Sequence, residues 1–330
     1  MKPNGLPGRG WHGAPRRYRR RRDGAEALSL QSLAEPGFRL DRRGLLSAWG
    51  IEPDPVRSIL SDIALIPPEA ATGATGDWRA TFEEDVARLA KRSQAPVLAL
   101  GGGLDAAAVL AAWRASGLRP PEIITLETGL PEYDEVAEAA AICAAVGARV
   151  ERVQVDPQTL VELLPRAIAC VGTPLYNLHP VGRLALAHAA RDRGFDTLVT
   201  GDGADGAFAG TPDWDYVPLV AALTGAVGLT LESPFLEGPT LAATLGAGAD
   251  PGKARVREYL ADQGFPEWLC SRPKRARLMP RIELEPHEAP RLVEQMAAEL
   301  ELKPEFETNR GLVGWTTLAI LYRHLEGAVE

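Results

Sequence analysis

The chain has 330 residues, 45% of them hydrophobic and 24% charged, with a formal net charge of −8. That composition is ordinary for a globular protein and supplies apolar material for one large domain or two unequal ones. Its apolar runs stop well short of the roughly 18 consecutive residues that a membrane helix needs, and no apolar run precedes the N-terminal basic cluster, which argues against a secretory signal and for the cytoplasm.

Charge is unevenly distributed. Residues 1–23 hold eight Lys or Arg against Asp23, a local charge of +7 that leaves −15 on the remainder. This stretch is rich in Gly and Pro and offers only Trp11 and Tyr18 for stacking. It reads as a flexible basic leader over residues 1–27, docking on an acidic partner at most, and argues against nucleic-acid binding. Residues 28–76, broken by Glu52-Pro53-Asp54-Pro55 and Pro67-Pro68, read as a connector with short elements. Cys143, Cys170 and Cys270 lack Cys-x-x-Cys spacing and read as buried thiols of a reducing compartment. The five histidines show no ligand spacing.

From Asp77 the pattern sharpens. Trp78, Phe82, Val86 and Leu89 recur three to four apart, predicting a helix to Arg92. Pro96 to Leu100 is a short apolar strand ending in three glycines, followed by an Ala-rich helix over 104–115. The alternation repeats with a strand at 122–126, a helix at 132–146 closed by Gly147, a strand at 149–155, helices at 157–170 and 180–193, and a strand at 196–200. Strands alternating with helices imply a parallel sheet covered on both faces. After Gly210 only helices are expected, near 217–229, 239–245, 254–263, 290–299 and 312–325. The expected domain over 77–330 is therefore an α/β body to about residue 215 with a helical part from 216 to 330.

Glycines between a parallel strand and a helix let backbone N–H groups converge on an anion such as pyrophosphate. Gly101-Gly102-Gly103-Leu104-Asp105-Ala106 resembles the Ser-Gly-Gly-x-Asp-Ser loop of the ATP pyrophosphatase superfamily, to which asparagine synthetases belong. Other segments follow in that family's order. Thr173 to Tyr176 resembles the stretch before the fourth strand, and Gly201-Asp202-Gly203-Ala204-Asp205-Gly206 resembles Gly-Glu-Gly-Ala-Asp-Glu. Ser233 to Glu237 is similar to Val-Pro-Phe-Leu-Asp, and Ser271-Arg272-Pro273-Lys274 to the Arg-x-Lys loop.

The resemblance implies a parallel sheet flanked by helices, of the adenine nucleotide alpha hydrolase-like type. It implies ATP on Gly101, Gly102, Gly103, Leu104, Asp105, Ala106, Gly201, Asp202 and Gly203, Mg²⁺ on Asp105 and Asp205 if ATP binds, and Lys274 as the catalytic cation. No room precedes Leu28 for the family's glutaminase half, so glutamine is not the expected ammonia source. Relatives include peptide macrocyclases and β-lactam synthetases.

Several departures weigh on catalysis. Gly101 and Ala106 replace two serines, and each lost hydrogen bond to a charged group is worth on the order of 1.5–3 kcal/mol. Gly206 replaces an acid, and Thr230-Leu231-Glu232 stands where relatives carry Glu-x-Arg, a change that fits drift on an exposed turn. Two readings result. One is a pseudoenzyme binding a peptide or amino-acid-derived intermediate, such as a precursor peptide, in a natural-product pathway, alone or as an oligomer or pathway complex. The other is an ATP-dependent, AMP-forming amide ligase.

Overall fold

The computed structural model describes residues 16–54, 56–66, 73–210, 216–273, 279–281, 284 and 290–329. The chain enters the fold through a small antiparallel sheet in which β1 (Tyr18–Arg20) lies between β2 (Glu26–Ala27) and β3 (Ile63–Leu65). Residues 16–27 are therefore not the flexible leader expected from their charge. Acids close by neutralise the arginines: Arg17 and Arg19 pair with Glu26, Arg20 with Asp23 and Glu35, and Arg22 with Glu35. Tyr18, in the middle of the run, is buried. Residues 1–15 lie outside the described residues. Between β2 and β3 runs α1 (Arg42–Ala48), whose first turn is closed by the Asp41 side chain accepting from the Gly44 N–H.

The next elements fall where periodicity predicts them: α2 (Trp78–Arg92), β4 (Pro96–Ala99), α3 (Leu104–Ala115), β5 (Glu122–Glu127), α4 (Val136–Ala145), β6 (Glu151–Gln154), α5 (Pro157–Val171), α6 (His179–Asp192) and β7 (Thr197–Val199). The helix expected from Glu132 starts four residues late. Asp134 instead folds back to accept from the N–H groups of Thr128 and Gly129, a turn that helical backbone does not permit.

Past α7 (Ala204–Ala209) and α8 (Tyr216–Ala226) the structure departs from expectation. β8 (Thr230–Glu232) adds a fifth strand, paired in parallel with β7. The α/β body thus runs through Glu232, and the boundary expected near residue 215 does not hold. Three residues are too few for alternation to register in the sequence. A 3₁₀ turn at Pro234–Leu236, then α9 (Gly238–Gly246), α10 (Ala254–Asp262), α11 (Glu267–Ser271), α12 (Pro290–Leu300) and α13 (Asn309–Val329) make up the helical end.

All five strands of the main sheet are parallel, in the order β6-β5-β4-β7-β8. Side chains alternate between its faces, as a strand requires. Val97 and Ala99 join a core with α5, α6, α8 and α13, while Leu98 and Leu100 join another with α2, α3 and α10. In the second core Trp78 stacks on Phe82, and Phe208, Tyr259 and Phe235 meet this pair edge-on or tilted. Buried alanines from Ala107 to Ala112 let α2 and α10 approach α3 closely. Strand order reverses between β4 and β7, because chain leaving β4 moves to one side of the sheet and chain leaving β7 to the other. A crevice opens there at the carboxyl ends, where ligands of open α/β sheets bind.

Candidate functional site

The loops after β4 and β7 meet at that crevice. A Cβ on Gly201 would lie 2.6 Å from the Ala106 nitrogen and from the Asp105 Cβ, so only glycine lets the loops touch. Gly203 has φ +88° and a Cβ there would lie 2.3 Å from Leu236 Cδ2, which accounts for the second glycine. Ser233 Oγ donates to the Asp202 carbonyl at 2.7 Å and fixes the far side of the turn.

The first loop is held from below. Arg272 Nη1 donates to the Gly102 carbonyl at 2.7 Å, and the Gly102 N–H donates to Glu135 Oε2 at 3.0 Å. Gly103 caps α3 with extended backbone and no side-chain hydrogen bond, and a Cβ there would meet nothing within 4 Å. The positive end of a 12-residue helix therefore faces open space, an arrangement suited to phosphate.

Asp105 in α3 and Asp205 in α7 converge on one cation. Lys253 Nζ lies 2.6 Å from a carboxylate oxygen of each and 2.7 Å from the second oxygen of Asp105. Lys253 is 6% exposed and adopts φ +55°, a left-handed conformation that costs a non-glycine residue on the order of 1 kcal/mol. The turn before it is anchored by the Asp250 N–H donating to the Phe208 carbonyl and by Asp250 accepting from the N–H groups of Ala254 and Arg255. Burial pulls the Lys253 pKa down, but Asp105 and Asp205 outweigh it and leave it raised. Burial pushes the Asp105 carboxyl up, opposed by Lys253 and reinforced by Asp205 and Asp202. These tendencies compete for one proton, and contact with both carboxylates keeps the ammonium charged. Two carboxylates gripping a single nitrogen are also spaced to share a metal ion, and their hard oxygens suit magnesium. Among the described residues no group of three or more His, Cys, Asp or Glu could hold a metal without a ligand's help.

The crevice opens into a cavity of about 480 Å³ lined by Gly101, Gly103, Asp105, Ala106, Gly201, Asp202 and Asp205 at one part and by Thr173, Pro174, Leu175 and Tyr176 at another. Such a volume holds a small-molecule ligand. Tyr133, His179, Arg183 and Tyr216 also line it. Tyr133 Oη bonds His179 Nδ1, and the His179 ring stacks on Tyr216 at 5.7 Å. Arg183 donates from Nη2 to Asp202 Oδ1 at 3.0 Å and from Nε to Tyr216 Oη at 3.2 Å. Burial works against the Arg183 charge, but Asp202 and Tyr216 more than restore it, and its pKa is raised.

A family model described as asparagine synthase matches residues 77–305, more than two thirds of the chain. The chain belongs to the asparagine synthase family. No curated protein matches it. Among solved structures it is similar to NMN synthetase from Francisella tularensis, with 11% identity, 77% of this chain and 97% of that one covered, and a TM-score of 0.40. It is also similar to the NH3-dependent NAD synthetase from Campylobacter jejuni, with 12% identity, 77% and 95% covered, and a TM-score of 0.39. Family membership makes this an ATP-using, synthetase-like chain at the coarsest level. No helix among the described residues is long and apolar enough to cross a membrane.

The structure brings most of the residues singled out in the sequence to one cavity. Gly101, Gly103, Asp105, Ala106, Gly201, Asp202 and Asp205 line the cavity; Gly102 and Gly203 shape it through backbone fit, and Leu104 packs against the core below it. Lys274 lies outside the described residues. Glu232 is not on an exposed turn: it is 5% exposed at the end of β8, and Arg92 from the end of α2 bridges it to Glu237. The reversed charge has found a cation elsewhere in the fold. Sequence reasoning missed Lys253, although a lysine closing Asp250-Pro251-Gly252 before a helix is a readable turn signal. It also missed Arg183, Tyr133, His179 and Tyr216, which are scattered over 84 positions of chain and share no local pattern.

Proposed function

We propose that the chain is an ATP-dependent ligase that adenylates a carboxylate, with release of pyrophosphate, and passes the acyl group to an amine, with release of AMP. The convergence of Asp105, Asp205 and Lys253 beside the uncapped N-terminus of α3 carries this reading. Asp105 and Asp205 would hold magnesium with the nucleotide, and the metal would offset phosphate charge there. Lys253, buried and gripped by three carboxylate oxygens, would hold the two aspartates in position rather than touch the nucleotide. Arg272 keeps the loop backbone in place through the Gly102 carbonyl.

Titration calorimetry with Mg-ATP tests the proposal. The wild type should bind, and Ala106→Ser should tighten binding by roughly ten- to a hundredfold, the worth of one hydrogen bond to a charged group. Absence of heat from both proteins at millimolar nucleotide would refute the ligase.

A second reading has its own support. Gly101 and Ala106 offer no hydroxyls, and the Gly102 N–H already donates to the Glu135 carboxylate, where a phosphate oxygen would compete. A non-catalytic binder of a peptide or amino-acid-derived intermediate in a modified-peptide pathway would retain the cavity without using nucleotide. Ligand binding without nucleotide binding would favour it.

A further inference from the structure

The loop offered to phosphate already holds an anion of the protein's own. Glu135 stands at the N-cap of α4, yet its side chain makes no capping bond to that helix. It reaches sideways to the glycine loop instead, where Oε2 accepts from the Gly102 N–H at 3.0 Å. Backbone N–H groups of such a loop are the donors a phosphate oxygen would use, and a carboxylate accepting from one of them forms a charge-assisted bond of the same kind. Glu135 also lines the cavity. A second acid lies close by: a Cβ on Gly102 would sit 2.8 Å from the Glu138 Cβ, so the loop rests on the first turn of α4.

The surroundings fix the backbone at Glu135 and give its side chain a second place to go. The residue before it, Asp134, accepts from the N–H groups of Thr128 and Gly129, and α4 begins immediately after. Displacement therefore falls to the side-chain torsions. Arg272 Nη2 stands 3.9 Å from Glu135 Oε1, while Arg272 Nη1 donates to the Gly102 carbonyl at 2.7 Å. A small rotation toward Arg272 would close that ion pair and free the Gly102 N–H, with the loop carbonyl still held. Competition of this kind scales with occupancy. Ligand affinity falls by the fraction of protein in which the donor is free, so a carboxylate engaged nine times in ten lowers it about tenfold.

We propose that Glu135 is a built-in plug of the phosphate loop: its carboxylate holds the Gly102 N–H until a polyphosphate takes it, and then swings to Arg272. The inference rests on the ligase reading only in taking the loop as a phosphate site; it needs no adenylation.

Calorimetry on the full chain with magnesium pyrophosphate tests it. Glu135→Gln keeps the size of the side chain and an acceptor for the Gly102 N–H but gives up the charge. That variant should keep the wild-type thermal midpoint and bind pyrophosphate at least tenfold more tightly. Glu135→Asp, one methylene shorter, should shift affinity in the same direction. Glu138→Gln removes the same charge three residues along without removing the bond, and should gain less than threefold. Arg272→Met, which takes away the second partner, should weaken pyrophosphate binding, and adding Glu135→Gln should recover most of the loss. Pyrophosphate bound no more tightly by Glu135→Gln, an equal gain from Glu138→Gln, no recovery in the double variant, or no heat from either wild type or Glu135→Gln would overturn the plug. Failure of Mg-ATP to bind either protein, with the pyrophosphate result intact, would remove the ligase and leave the plug standing.

Discussion

Replacing Lys253 with methionine separates the two things this residue does. The ammonium lies 2.6 Å from an oxygen of each aspartate, so those two oxygens are no more than about 5 Å apart. Without the cation, two carboxylates at that separation repel by about 3 kcal/mol at an effective dielectric of 20. Asp205 is half exposed, so solvent screening lowers the expected loss to about 1–2 kcal/mol. For a chain of this size that corresponds to a fall in Tm of roughly 1.5–3 °C.

The pH dependence follows from the directions of the shifts. Lys253 has a raised folded-state pKa, so its contribution is complete below the unfolded value of 10.5 and is lost only as pH rises through the folded one. In the variant, Asp105 loses the cation that restrained its upward shift. A carboxyl raised in the folded state binds protons that the unfolded chain has released, so the variant should lose stability as pH rises from 3.8 through the folded value. The gap from wild type should therefore be small in acid and full at neutral pH. The variant should also bind Mg-ATP more weakly. Thermal unfolding across pH, with nucleotide calorimetry, reads all of this. A Lys253→Met protein with wild-type Tm at neutral pH and wild-type nucleotide affinity would refute the account.

Two further outcomes concern structure rather than chemistry. Gly203→Ala adds a Cβ 2.3 Å from Leu236 Cδ2 at a residue with φ +88°, and should cost roughly 2–4 kcal/mol of unfolding free energy. Leu236→Ala in that background should recover the steric part only; a Gly203→Ala Tm within error of wild type would contradict the packing. Asp23 is drawn down to about 2 by the Arg20 guanidinium and the Ala25 N–H. A lowered carboxylate contributes stability above its unfolded value of 3.8 that is lost as pH falls through about 2. Carboxyl NMR should find this midpoint and return it to the ordinary range in Arg20→Gln; an ordinary midpoint in the wild type would mean that β1 and its turn are not docked.

Much of the architecture was legible from sequence, as were the two glycine loops that meet at the crevice. Alternating strands and helices from Asp77 to Thr200 are long and strongly periodic, and local pattern captures such elements well. The glycines, Asp105 and Asp205 sit within two short strand-to-helix loops, so local pattern alone singles them out. What the sequence alone could not settle depends on distance along the chain. β8 is a strand because β7 offers an edge. The arginines of residues 16–22 are ordered because Glu26 and Glu35 reach them, and Glu232 is a buried partner because Arg92 lies 140 positions earlier and beside it in space. Lys253 closes the aspartate pair, and Glu135 reaches the Gly102 N–H, only once parallel strands bring four separate loops and helices to one edge of the sheet. Charge, hydrogen-bond satisfaction and burial are properties of that assembled edge, and no window of sequence contains them.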